Sequence, residues 1–310
     1  MGNTPKLGGT KMSSEREDNE SVEEETKKAV IDRVIRREAV EVADFKASLD
    51  KLNKAIAELT AVIDAATTDL TAVLSEEYIS TEPVDLKPYG KGAMLVSNEV
   101  FEPVANAGIV VLPTTEEEVA EVVRIANTYK IPITQLAKNA KREKYTTSIR
   151  EGTIIMDLRL MGKKITKPSN IPPVIHRFIV ERWAENLKPL KQKFVEAGLV
   201  GASFTEKSPD SPRERLNYYF DQDGVLQFNF ESDEDTGETL MTYKDYETGF
   251  RALADKNFDS MKAFLDGDFK IEPSPETALK MAHLMPDMIE AYIKALNDAE
   301  KKFKVQLPKY

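Results

Sequence analysis

Cysteine is absent from the 310 residues, and histidine occurs twice, at His176 and His283. The first absence excludes disulfides, thiolate metal sites and cysteine nucleophiles. The second leaves little material for a histidine-built active site, because the two imidazoles stand far apart with no metal-ligand spacing. No apolar stretch is long enough to span a bilayer, and no apolar h-region opens the chain, so a reducing, cytoplasmic setting without a transmembrane segment is the expectation. Positive charge is also short: 43 Lys and Arg against 53 Asp and Glu leave a net charge of -10. That field repels phosphate backbones and anionic membranes, so nucleic acid is not an expected partner. What remains, 41% hydrophobic and 31% charged residues, is the composition of a soluble globular chain, with length for about two domains of ~100–200 residues.

Residues 1–21 hold almost no large apolar side chain and read as a disordered tail. From Val22 to Ser75 there is neither Pro nor Gly. Apolar residues there recur at steps of four and three, with Ile35, Val42, Leu49, Ile56, Ile63 and Leu70 at a, and Phe45, Leu52, Leu59, Ala66 and Val73 at d. This heptad over 22–78 predicts one long helix or a hairpin of two, and a homodimer through residues 31–73 is one partner it offers. Val34, Ala55, Val62 and Leu74 widen the stripe, so packing on the chain's own body is the competing reading. Residues 79–107, punctuated by Pro83, Pro88, Gly90, Gly92 and Pro103, read as a linker. A strand at Gly108–Leu112, a helix from Val119 to Tyr129 capped by Thr114 or Thr115, and a strand at Thr153–Leu158 predict a βαβ unit within 108–166. After a second proline-rich joint, residues 174–310 predict an α+β domain. It comprises a helix broken near Pro189, a small antiparallel sheet from Leu216–Phe220, Val225–Phe230 and Glu238–Thr242, and C-terminal helices gathered on one side. The fold class is therefore α+β.

Two segments resemble known families. Val110–Asn127, Ile131–Ile133 and Gly152–Met161 are similar to the first half of the FAD-binding (PCMH-type) domain of the vanillyl-alcohol oxidase and para-cresol methylhydroxylase flavoenzymes. In that family a glycine-rich loop presents backbone N–H groups to the FAD pyrophosphate, where a side chain would block the approach. The equivalent stretch here, Ala137–Lys144, contains no glycine. Lys138, Asn139, Lys141 and Arg142 are the residues through which it could still grip phosphate. The second resemblance, carried by Met241–Tyr246, Phe250–Asn257 and Ala263–Ile271, is to the sterol carrier protein (type two) family. It implies a sheet and helices enclosing an apolar tunnel for lipid, sterol or acyl-like ligands, with no catalytic machinery.

Phe228, Phe230, Phe250, Leu253, Phe264, Phe269, Met281 and Met285 are the candidate tunnel liners by type, and methionine suits ligands of varied shape. Asp221–Gly224 and Asp233–Gly237 have hairpin chemistry and lack the distal Glu of a calcium loop, so no metal is expected. No catalytic residue is singled out. The expectation is a carrier or accessory protein for a hydrophobic small molecule, with an oxidoreductase as a candidate partner and no cofactor of its own. The alternative is an FAD-dependent oxidoreductase or a subunit of one.

Overall fold

The computed structural model describes residues 14–89, 94–96, 99–101, 107–137, 152–213, 215–232, 234–273 and 276–310, with side chains from Asp44 onward outside the 94–101 hairpin. The chain divides into two units, Met1–Ala61 and Val62–Tyr310.

The heptad region is one helix, α1 (Ser14–Val73), not a hairpin. It begins inside the stretch read as a disordered tail. Once a helix exists, each further residue extends it without new nucleation, and nothing from Ser14 to Ser21 is Gly or Pro. In the first unit Phe45, Leu49, Leu52, Ile56 and Leu59 stand exposed along this helix, Phe45 at 70%. In the second unit its last turns are core: Ala66, Leu70 and Leu74 are buried. The C-terminal part of the heptad thus packs on the chain's own body.

The stretch read as a linker is structured over its first part. Strand β1 (Ile79–Ser80), a turn of helix α2 (Pro83–Leu86) and a 3-10 turn follow α1, and Asp85, Leu86 and Tyr89 are buried. A short hairpin, β2 (Met94–Val96) and β3 (Glu99–Phe101), comes next. Then come β4 (Ala107–Val111), α3 (Glu116–Tyr129), β5 (Ile133–Leu136) and β6 (Thr153–Asp157). Helix α3 starts where its cap requires: Thr115 accepts from the Glu118 N–H, and the Glu118 carboxylate accepts from the Thr115 N–H, a reciprocal capping box. The sheet order is β1-β4-β6-β5, with β6 inserted parallel between the two strands that α3 connects and β1 antiparallel at the edge.

The remaining elements are α4 (Pro173–Leu187), α5 (Lys191–Glu196), β7 (Ser203–Lys207), β8 (Arg215–Phe220), β9 (Leu226–Asn229), β10 (Thr239–Tyr243), α6 (Tyr246–Ala254), α7 (Ser260–Leu265), β11 (Phe269–Glu272), α8 (Glu276–Ala282) and α9 (Met285–Phe303). Their sheet, in the order β11-β10-β7-β8-β9, is mixed where an antiparallel one was expected, because β7 pairs parallel with β10. Strand β7 was missing from the sequence reading. It sits at the centre of the sheet, between β8 and β10. The β8–β9 turn is the expected hairpin: Asp221 accepts from the Asp223 and Val225 N–H groups, and Gly224 takes φ of 74°. Helices α4 and α9 pack together, with the Trp183 indole N–H donating to the Met288 carbonyl at 3.0 Å. Asp245 and Asp259 cap α6 and α7 through the N–H groups of Thr248 and Lys262.

The two sheets belong to one unit. Tyr78 donates to the Phe303 carbonyl at 2.7 Å, Ile165 N–H donates to the Gln306 carbonyl at 2.9 Å, and Val305 and Leu307 are buried. At the end of β6 the fully buried Asp157 carboxylate takes the Arg159 guanidinium and the Tyr89 hydroxyl, the latter at 2.8 Å. Removing one partner of such a pair leaves an uncompensated buried charge. Asp157→Ala is expected to lower unfolding free energy by ~3–5 kcal/mol. The double variant Asp157→Leu/Arg159→Met is expected to lose much less, both read from urea denaturation midpoints.

Candidate functional site

Strands β10 and β11 present Met241, Tyr243, Phe269 and Ile271 on one face, and the pieces of chain that cover this face are short: α7 spans 6 residues and α8 spans 7. They leave a cavity of about 330 Å³, within the ~300–1,000 Å³ of small-molecule sites. Ala252 and Leu253 of α6, Met261 and Phe264 of α7, Ala278, Leu279 and Met281 of α8, and Met285 and Met288 of α9 complete most of the wall. Five wall residues are methionines, unbranched and polarisable, so the lining can adapt to a guest. Met261 and Leu279 are 59% and 54% exposed, which puts part of the wall at the solvent boundary.

Of the liners expected from sequence, Leu253, Phe264, Phe269, Met281 and Met285 come together on this wall. Phe250 lines a separate, smaller chamber of about 30 Å³ that also touches Leu253. Phe228 and Phe230 line neither. Phe228 packs against Trp183 and Tyr218, with ring centroids 6.0 and 5.7 Å away, and Phe230 stacks on Phe228 and lies 5.0 Å beneath the Arg213 guanidinium. The reason is topological: β7 and β8 separate β9 from β10, so Phe228 of β9 and Phe230 just beyond it cannot reach the opposite edge. Lys138, Asn139, Lys141 and Arg142 lie outside the described residues.

One wall residue breaks the apolar pattern. Glu206 of β7 lines both the cavity and the smaller chamber, and its Oε1 accepts from the Tyr218 hydroxyl at 2.7 Å. No other hydrogen bond to its carboxyl is found among the described residues. Burial pushes Glu206 up to about 7, against the opposing effect of the Tyr218 hydrogen bond, and holds Tyr218 and Tyr243 well above the usual phenol range. His176 lies on the other side of the small chamber, where burial and the nearby Arg213 push it down to about 3 and its Nδ1 has no hydrogen-bond partner. Sequence reasoning missed Glu206, Trp183, Tyr218, Tyr243, Met241, Met261 and Met288. The signal for Glu206 was strand parity: two residues beyond the buried Phe204, it must share that side chain's inward face.

A larger depression of about 600 Å³ is lined by Glu76, Glu77, Glu82, Asp85, Arg177, Glu181 and Lys302, among others. Its central charge is already matched: Asp85 is paired with Arg177 at 2.9 Å and Arg213 at 3.2 Å. The loop between β5 and β6 that the flavoenzyme resemblance makes the pyrophosphate cradle lies, over 138–151, outside the described residues. A Cβ on Gly108 would sit 2.6 Å from Ile63 Cδ1 and 2.9 Å from the Gly152 Cα, so this close backbone approach is filled by the chain itself.

No protein-family model matches the chain, and no curated protein does either. Solved structures similar to parts of it come from both families named above. p-Cresol methylhydroxylase with substrate bound is 27% identical over 39% of this chain and 25% of that one, with a TM-score of 0.28. 4-Ethylphenol oxidase from Gulosibacter chungangensis, in an isoeugenol complex, is 21% identical over 32% of this chain and 18% of its own, with a TM-score of 0.26. The apo sterol carrier protein 2 from Yarrowia lipolytica is 15% identical over 43% of this chain and 98% of its own, with a TM-score of 0.26. The chain thus spans a quarter or less of the flavoenzymes it matches.

Because Glu206 holds its proton more tightly when folded, the native state binds more protons than the unfolded chain between its ordinary value of 4.5 and about 7. Its contribution to stability is complete below the lower value and is lost as pH rises through the upper one, by up to about 3 kcal/mol. Glu206→Gln is expected to match the parent in thermal unfolding near pH ~5 and to exceed it near pH ~8.

Proposed function

We propose that this chain binds an apolar small molecule in the cavity between β10, β11 and helices α6–α9, and serves as its carrier or as an accessory component that presents it. The observation that carries the reading is the wall itself: about 330 Å³ bounded almost entirely by aliphatic, aromatic and methionine side chains, with Glu206 as its one carboxyl and no Lys or Arg among the described residues. Moving an alkyl chain from water into such a space is favourable by about 0.8 kcal/mol per methylene. A guest of on the order of ten heavy atoms, each about the volume of a water at ~30 Å³, would gain enough to bind without many polar contacts. Among the described residues no helix is long and apolar enough to cross a membrane.

Trp183 is the only tryptophan in the chain and stands on the cavity wall, so its fluorescence reports occupancy directly. Titration with the neutral fluorophore phenylnaphthylamine is expected to quench Trp183 and brighten the probe, at a stoichiometry of about one per chain. Ala278→Phe, which places a ring in the cavity from α8, is expected to weaken the probe at least ~10-fold, the loss of ~1.4 kcal/mol, while leaving the circular dichroism spectrum unchanged. A parent protein that neither quenches nor brightens would overturn the proposal.

A further inference from the structure

The polar group in the cavity wall has a defined place. Glu206 stands at the seam between the apolar cavity and the small chamber, lining both together with Trp183, Tyr243 and Leu253. One carboxyl oxygen is held by Tyr218 at 2.7 Å. No other partner engages the carboxyl among the described residues, and Glu206 as a residue is half-buried. Beyond it the chamber has mixed walls, with His176, Ser208 and Ser211 beside Val180, Leu216 and Phe250, and room for about one water. Among the described residues the rest of the apolar cavity adds the Ser260 and Tyr243 hydroxyls as further polar groups, the Tyr218 hydroxyl and the Trp183 indole N–H being engaged by Glu206 and the Met288 carbonyl.

The charges around Glu206 are as informative as the hydrogen bonds. From β8 it faces Tyr218, from β10 Tyr243, from α6 Tyr246 and from α9 Tyr292, phenols raised first by burial and further by its charge. From α4 comes His176, which is held neutral. No Lys or Arg lines either space among the described residues. An anionic head group brought to this seam would meet a carboxyl with no cation to compensate, in a setting where unpaired charge is costly. A head that donates a hydrogen bond would meet an acceptor oxygen with spare capacity, and a cationic head would meet its counter-ion.

Resting on the proposed ligand-binding role of the cavity, we infer that the Glu206–Tyr218 pair selects the guest by its head group: an apolar molecule ending in a hydroxyl or a protonated amine is taken, and the carboxylate of the same length is refused. Glu206 is the specificity-determining residue, and Tyr218 positions its carboxyl.

Decanol, decylamine and decanoate, equal in chain length and differing in head group, test this by displacement of phenylnaphthylamine from the full-length protein. At about pH 8, where Glu206 is mostly ionised, decylamine and decanol are expected to displace the probe at concentrations at least ~10-fold lower than decanoate. Between about pH 6 and 8 the affinity for decylamine is expected to rise roughly 10-fold and that for decanoate to fall, while decanol changes little. Glu206→Gln, close in shape and without the charge, is expected to flatten both slopes and bring decanoate to within ~3-fold of decanol. Tyr218→Phe, which keeps the ring and removes the donor, is expected to weaken the discrimination without abolishing probe binding. Decanoate binding as tightly as decanol at about pH 8, or a Glu206→Gln profile identical to the parent's, would overturn the head-group inference while the cavity stands. Failure of the parent to bind the probe at all would remove both.

Discussion

One end of a sheet, the edge strand β11 and its neighbour β10, with an apolar face and nothing large enough to cover it, sets the terms for this fold. Strands β10 and β11 turn Met241, Tyr243, Phe269 and Ile271 inward, and a sheet face of that kind must be buried against another layer. On the other half of the sheet the layer is substantial: α4 and α9, of 15 and 19 residues, interlock through Trp183, Tyr292 and Met288. Over β10 and β11 the cover is α7 and α8, with Leu265 and Leu279 left 75% and 54% exposed. Short helices cannot bring enough side-chain volume to fill the space beneath them, and the shortfall is the cavity. Its five methionines suit a wall that must tolerate being either collapsed or occupied.

The same shortfall explains the chemistry of Glu206. In a close-packed core a carboxyl on the inward face of a central strand would be paired with a cation or would not be there. Here it borders a void, so its desolvation is offset by one phenol hydrogen bond and by holding its proton up to about 7. His176, buried and neutral beside Arg213, is the complementary case: an imidazole that gives up its charge because burial strips its hydration and Arg213 repels a second cation. Elsewhere buried charge is conventionally paired, as at Asp157 with Arg159 and at Asp85 with Arg177 and Arg213. Glu206 and His176 thus stand together on the small chamber of the C-terminal region, each without a charged partner of opposite sign on its wall among the described residues.

Much of the architecture is legible in the residues. The heptad from Ile35 to Val73 announces α1, Thr115 with Glu118 marks the start of α3, Pro189 marks the break between α4 and α5, and Asp221–Gly224 marks the β8–β9 turn. The widened stripe at Val62 and Leu74 already hints that the last turns of α1 are core. Strand β7 is not legible, because Ser203-Phe204-Thr205-Glu206-Lys207 has one large apolar residue, and its central place comes from a parallel pairing with β10 that local sequence does not encode. That single omission displaced Phe228 and Phe230 into the cavity by expectation and hid Glu206, one carboxylate among 53 acidic residues. The packing of the first part of the expected linker was hidden for a related reason: prolines and glycines mark turns, yet turns such as Pro83–Tyr89 can be buried when Tyr89 and Asp85 find partners in the body.

A carrier of apolar molecules needs the space over β10 and β11 to be apolar and able to admit a guest. Xenon enters dry apolar cavities and gives strong scattering where it binds. A crystal of the full chain pressurised with xenon is the most direct measurement: the account requires xenon density bounded by Met241, Phe269, Leu279 and Met285, and a crystal in which those side chains close on one another with no xenon between them would contradict it.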